Sequence, residues 1–358
     1  MSEFVLQNGQ VIGERFRVIR PLARGGMSVV YLVQHIQLNS QHALKLLELK
    51  HKEVRSRMMQ EGQVQSTLSH PNIVSVTDSF ECEGRLALVM EYVEGHSLFT
   101  YLKEHGKLSL ARVEELTHGL IDGLRYAHAQ GLVHRDLKPA NVLIQERDGR
   151  LIPKITDFGI VKVLDSFRDP EAMHNTNTGM SMGTPAYTAP EQADNPRSVT
   201  ESADVFSLGC ILYEMMCGQT AFVAKNAFGV RAKAAEAVFV DPRELVPGWP
   251  QRFYQVIDDS LAPDPLRRIP NIATFEQRLF GDSMSSVRPK SQAPTLILES
   301  NRVPQMATKD AAPAVPPPAP RTSVFTRVLF VLLFAAILVL FATLFSGFGC
   351  LAFLMRAV

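Results

Sequence analysis

HRDLKPAN at residues 134–141, followed by DFG at 157–159, is the stretch on which the reading of this chain turns. It holds two aspartates, an asparagine and a lysine (Asp136, Lys138, Asn141, Asp157) on either side of a short apolar strand, Ile152–Ile155. Downstream lie GTPAYTAPE at 183–191 and DVFSLG at 204–209. Upstream, LARGGMSVVY occupies 22–31, Lys45 sits in HALK on the next strand, and Glu61 lies in a segment of helical period. A Gly-rich hairpin lets backbone N–H groups approach a polyphosphate without obstruction by Cβ. One at a time these signals are weak: a plain turn, a strand-edge lysine, a surface glutamate. Their order and spacing give them meaning.

The surrounding periodicity agrees. Residues 15–49 alternate apolar and polar (Phe16, Val18, Ile19; Val29, Tyr31, Val33; Ala43, Leu44, Leu46) with breaks at Gly25–Gly26 and Asn39–Ser40, which predicts an antiparallel meander. Residues 51–68 switch to helical period, and RLALVMEYV at 85–93 reads as another strand. Helices are predicted over 97–105, 109–130, 203–218 and 251–261. A small β-rich lobe followed by a larger helical one is an α+β order with a cleft between lobes.

Taken together, the ordered motifs resemble the protein kinase superfamily, and closely the eukaryotic-like serine/threonine kinases of bacteria, over residues 14–280. The resemblance implies a two-lobed fold, ATP as phosphoryl donor, Mg²⁺ (or Mn²⁺) as cation, and protein Ser/Thr hydroxyls as acceptors. By the same resemblance, Lys45 pairs with the α/β-phosphates and is held by Glu61. Asp157 and Asn141 hold the metals. Asp136 orients the acceptor hydroxyl and takes its proton, and Lys138 neutralises the γ-phosphate. The nucleotide is covered by Leu22, Ala23, Arg24, Gly25, Gly26, Met27, Ser28, Val29 and Val30. Its adenine lies between Val30 and Ala43 above and Leu143 below. Met90 guards the back, and Glu91 and Val93 offer backbone hydrogen bonds. His134 and Phe158 pack, Glu191 pairs with Arg268, and Asp204 holds the backbone of the 134–141 loop.

Two departures stand out. Ala23 and Ser28 replace glycines of the family's G-x-G-x-x-G, and Ala does not adopt φ > 0 cheaply, so weaker nucleotide binding is an expectation. Phe206 stands where many kinases have Trp. Arg135, just before Asp136, implies activation by a phosphate in the segment between DFG and APE, where Thr176, Thr178 and Ser181 are the candidates. Thr184 belongs to the substrate platform. Two alternatives weigh against an active kinase: a kinase-shaped scaffold, opposed by the intact set Lys45, Glu61, Asp136, Asn141 and Asp157, and a small-molecule phosphotransferase, opposed by GTPAYTAPE.

Composition adds exclusions. The chain has 358 residues and a formal net charge of +1, so it lacks the basic field of a nucleic-acid binder. Cys82, Cys210, Cys217 and Cys350 form no CxxC pair, which argues against a disulfide scaffold and fits buried thiols in a reducing compartment. Residues 1–13 read as an N-terminal extension without a signal-peptide pattern. Residues 281–327 turn Pro-, Ser- and Ala-rich and read as a disordered linker, with a root-mean-square span of about 40 Å. Residues 328–355 carry no charge and would make a helix of about 42 Å, against about 30 Å of hydrocarbon. That predicts a single-pass transmembrane helix with a short tail, 356–358, and a kinase domain on the cytoplasmic side of a cell membrane. Encounters within the membrane would favour a transient homodimer for trans-autophosphorylation.

Overall fold

Antiparallel strands build the first lobe in the computed structural model, which describes residues 5–25, 28–47, 62, 65–158, 185–194 and 199–281. They are β1 (Val11–Ile12), β2 (Phe16–Arg24), β3 (Ser28–His35), β4 (Gln41–Leu47), β5 (Val76–Cys82) and β6 (Arg85–Glu91), in the spatial order β1-β2-β3-β4-β6-β5. Successive side chains of a strand face opposite ways. Tyr31, Val33, Leu44, Leu46, Ala87 and Val89 therefore close one face, packed with Phe16, Val18 and Cys82. Val30, Ala43 and Met90 serve the other. Leu6 and Ile12, from the stretch set apart in the sequence as an extension, are buried in the first of these cores, and the Leu6 N–H donates to the Tyr31 hydroxyl at 3.1 Å.

A second sheet, ordered β7-β8-β9, is made by β7 (His96–Ser97), β8 (Val142–Arg147) and β9 (Arg150–Ile155). Around it lie α1 (Leu98–His105), α2 (Leu110–Ala129), α3 (Glu191–Asp194), α4 (Glu201–Cys217), α5 (Ala227–Ala235), α6 (Pro242–Leu245), α7 (Gln251–Ser260) and α8 (Ile272–Phe280). Serines start the first two: Ser97 accepts from the Thr100 N–H and Ser109 from the Arg112 N–H. α2 buries Val113, Leu116, Leu120, Leu124 and Ala127 along one stripe. α4 is apolar on every side and buried from Ser202 to Tyr213, which makes it the axis of the helical lobe.

The four predicted helices end within two residues of α1, α2, α4 and α7, and the predicted 85–93 strand stops at Glu91. β5, α5 and α8 went unpredicted. The 51–68 helix lies largely outside the described residues. An irregular segment, residues 72–75, runs beside β9, with Ile73 in a parallel bridge to Ile155. It can lie there because α2 presents glycines: a Cβ on Gly119 would come 2.5 Å from Pro153 Cγ, and one on Gly123 3.0 Å from the Asn72 carbonyl oxygen.

Cys82 and Cys210 are buried free thiols and Cys217 is partly buried; burial pushes the Cys210 pKa well up. All described residues belong to one compact unit, Met1–Lys290; the other, Ser291–Val358, lies outside them, and with it the predicted span 328–355. Among the described residues, no helix is long and apolar enough to cross a membrane.

Candidate active site

Strand register assembles the upper wall. β3 and β4 pair Val30 with Lys45 and Leu32 with Ala43; β4 and β6 pair Ala43 with Met90 and Lys45 with Leu88. Ala43 and Lys45, two apart, share a face. Ala43, Met90 and Val93 form one apolar cluster with Val74 and Val76, and Leu22, Val30 and Leu143 pack on it. Leu143 comes from β8, so this cluster joins the two sheets. It contains every apolar residue expected to hold an adenine. Val74 and Val76 were not foreseen.

At the hairpin, the Gly25 N–H donates to the Ser28 carbonyl at 2.8 Å. Ala23 lies in β2 opposite Val30 and is not at positive φ, so the strain expected of alanine there is absent. Val29, grouped with the nucleotide-covering residues, packs its side chain on the opposite core with Phe16 and Tyr31. The reason is alternation: if Val30 faces the cleft, Val29 cannot. Gly26 and Met27 lie outside the described residues.

The lower wall is a loop held by one carboxylate. Asp204, in the first turn of α4, is fully buried and accepts from the N–H groups of His134 (2.7 Å) and Arg135 (2.9 Å); His128 Nε2 lies 2.8 Å away. Burial is the largest influence on Asp204 and opposes its charge. The His128 hydrogen bond, the nearby histidines and the His134 N–H together outweigh it and hold the pKa below the ordinary carboxylate value. Two residues of the site, Arg135 and Asp157, sit at positive φ (69° and 66°). That conformation costs about 1–2 kcal/mol when a Cβ is present. For Arg135 the two N–H bonds to Asp204 and a bond from Gln192 Nε2 to its carbonyl (2.7 Å) fix the backbone.

His134 orients both halves of the loop. Its Nδ1 accepts from the Asp136 N–H (3.2 Å), so Nε2 carries the proton and donates to the Thr156 carbonyl (2.9 Å). Its ring also lies 4.7 Å from that of Phe158. The Asn141 amide donates to the Asp136 carbonyl (2.8 Å) and carboxylate (3.1 Å), and the Asn141 carbonyl accepts from Thr156 (3.0 Å). Lys138 Nζ meets Asp136 at 2.7 Å. Lys45 Nζ crosses from β4 to Asp157 at 2.6 Å. With its amide nitrogen engaged by Asp136, Asn141 has its amide oxygen to offer a cation, and Asp157 has its second carboxylate oxygen. Among the described residues no group of three His, Cys, Asp or Glu could hold a metal alone. Two oxygen ligands completed by phosphate and water suit Mg²⁺, so the residues fit that ion.

Further along, Arg268 Nη1 and Nη2 grip Glu191 at 2.7 and 3.0 Å, and the guanidinium lies 5.0 Å from the centre of the Phe206 ring. The phenylalanine thus supplies the aromatic face at this position. Tyr187 donates to Glu214 at 2.5 Å, and burial raises both pKa values. The expected partner of Lys45, Glu61, lies outside the described residues, as do Thr176, Thr178, Ser181 and Thr184. Two paired side chains escaped the sequence reading: His128, against Asp204, and Lys154, which pairs with Glu91 at 2.8 Å. Each looks alone like a solvated surface residue.

A strand-built lobe and a helical lobe joined by an apolar cluster, over a floor of lysines, carboxylates and an amide, define a nucleotide-cleft phosphotransferase architecture. A protein kinase domain model matches residues 16–280, and the chain belongs to that family. It is 33% identical over 263 residues to the serine/threonine-protein kinase PrkC of Bacillus subtilis, covering 73% of this chain and 39% of PrkC. It thus spans about two fifths of that relative's length. Its structure is similar to the PknI kinase domain of Mycobacterium tuberculosis, with TM-score 0.61 and 26% identity over 77% of this chain and 98% of that one. It is also similar to Rad53 1-466 in complex with AMP-PNP, with TM-score 0.60 and 26% identity over 73% of this chain and 64% of that one.

Proposed function

We propose that this chain is a serine/threonine protein kinase that transfers the γ-phosphate of ATP to protein hydroxyls. The observation that carries the proposal is the pairing of Lys45 with Asp157 and of Asp136 with Lys138 and Asn141, two groups tied together by the Thr156 N–H on the Asn141 carbonyl and by His134. The names of the relatives and the AMP-PNP bound to Rad53 support it. Bound Mg²⁺, or Mn²⁺ in its place, would neutralise phosphate charge from Asp157 and Asn141. Asp136, oriented by Asn141, takes the acceptor proton, and Lys138 balances charge on the transferred group. Lys45 exchanges Asp157 for phosphate as nucleotide enters.

Two finer parts of the proposal concern regulation and place. Arg135 is the receptor for a phosphate at Thr176, Thr178 or Ser181, and residues 328–355 anchor the enzyme in a membrane, where encounters between copies speed autophosphorylation. One experiment addresses all three parts. Full-length chain, a chain ending at residue 327, and Asp136→Asn are incubated with labelled ATP and Mg²⁺ on lipid vesicles, followed by phosphosite mapping and flotation. Wild type incorporates label at 176–181 and floats, the shortened chain stays unbound and labels more slowly, and Asp136→Asn labels about 10²–10⁴-fold less. Equal label in Asp136→Asn removes the kinase reading. Label outside 176–181 removes the switch, and equal flotation removes the anchor.

A further inference from the structure

Glu91 ends β6, and the chain then crosses from the first sheet to the second through residues 92–95. The crossing is tightly placed, since a Cβ on Gly95 would collide with the Ile144 carbonyl oxygen of β8. Beside it three contacts, linked by the chain, close a ring. The Glu91 N–H donates to Ser75 O (2.9 Å), and the Val74 N–H donates to Ile155 O (2.9 Å). Ile155 is joined by its peptide bond to Lys154, and Lys154 Nζ returns to Glu91 Oε1 at 2.8 Å. Asn72 stiffens the ring from outside: its carbonyl accepts from the Ile155 N–H (2.8 Å) and its amide donates to Pro153 O (2.9 Å).

Three members of the ring adjoin the site. Lys154 is paired across the ladder with Leu143, the floor of the apolar cluster. Val74 belongs to that cluster. Ile155 precedes Asp157 by two residues. Lys154 and Glu91 are the only side chains through which the ring closes, and the Lys154 side chain is 10% exposed, so water competes poorly for it.

We infer that Lys154 is a positioning residue for the nucleotide: through Glu91 it sets the crossover relative to the β9 strand that leads to Asp157, and so fixes where adenine sits against the phosphate-handling groups. The inference rests on the proposed nucleotide site. Opening the ring leaves the reacting groups in place but lets the crossover drift, so nucleotide binding weakens while the chemical step does not.

The test uses the full chain as wild type, Lys154→Met, Lys154→Arg, Glu91→Gln and the Lys154→Met/Glu91→Gln pair. MgADP binding is measured by calorimetry, and KM for ATP and kcat by label transfer. Lys154→Met and Glu91→Gln each weaken MgADP binding and raise KM about fivefold, the scale of one partly exposed ion pair, with kcat within about twofold. The double variant is no worse than either single one, because both open the same ring. Lys154→Arg restores binding. Glu91→Gln, at the more exposed end, reads the same pair if Lys154→Met folds poorly. Unchanged MgADP binding in both single variants overturns the inference, as does a fall in kcat at constant KM. A wild-type chain that does not bind MgADP overturns the nucleotide site itself, so the two failures are distinct.

Discussion

On the cleft floor each lysine meets a single carboxylate oxygen, Lys45 that of Asp157 and Lys138 that of Asp136. In the helical lobe, Arg268 makes two bonds to Glu191 and others to the carbonyls of Ala262, Pro263 and Ser202. Exposure of the cations follows the same division: the Arg268 side chain is 0% exposed, those of Lys45 and Lys138 10% and 17%. A charge with every donor satisfied and no access to water cannot change partner without a large penalty. A charge with one partner and a wet edge can. The floor is built for exchange and the scaffold for permanence, from the same residue types.

The largest expected effect breaks a floor pair. Lys45→Met removes a cation from the reacting site and lowers phosphate transfer by about 10²–10³-fold. Stability should stay within about 1 kcal/mol of wild type, because Asp157, 24% exposed, is hydrated when its one partner is removed. Thermal melting beside label transfer separates the two. A strong loss of stability with modest loss of transfer would place Lys45 among the scaffold charges.

Asp204 gives the opposite outcome. Asp204→Ala leaves the His134 and Arg135 N–H groups and His128 without their acceptor in a dry site, at about 3–5 kcal/mol in stability. Activity falls as well, since the strained Arg135 backbone is no longer held. The pH dependence has a definite sign. The native pKa of Asp204 lies below its unfolded value of 3.8, so its contribution is present above that value and is lost as pH falls through the lowered one. Wild type and variant should therefore converge in stability only in strong acid, as denaturant titrations at decreasing pH would report.

This contrast between floor and scaffold also explains what could be read in the sequence. Asp136, Lys138 and Asn141 sit in one contiguous motif and Ala43 and Lys45 share a strand face, so these local groupings were legible; that both serve one site with Asp157 came through the family resemblance. The pairing of Glu191 with Arg268 and the role of Asp204 came only through family resemblance, because nothing local links residues 77 and 70 apart. Residues 72–75 gave no signal at all. They form an isolated bridge in an irregular segment, with neither the length nor the period of a strand, and their partners lie in β9 and α2. Val74 was missed for that reason, Val76 because the β5 strand that it opens went unpredicted, and Lys154 because a strand lysine is ordinarily solvated. Val29 was misplaced when the hairpin was treated as one unit; applied strictly, period two would have turned its side chain away.

The smallest effect lies at Glu214, a carboxylate that shares burial with Asp204 but not its partners. Burial is the main influence and raises the pKa, and the single bond from Tyr187 offsets it only in part. The sign is therefore reversed: the stabilising contribution belongs to the protonated form, is complete below the ordinary value of 4.5, and is lost as pH rises through the elevated native pKa. Glu214→Gln keeps an acceptor for the Tyr187 hydroxyl and can never ionise. Its stability should match wild type in acid and exceed it near neutrality, since burial penalises only the ionised form. Denaturant midpoints for both proteins across about pH 4 to 8 measure the difference. A difference constant across that range would mean that Glu214 is charged and fully compensated, as Asp204 is. Its lone hydrogen bond would then have done what Asp204 achieves with two N–H groups and a histidine.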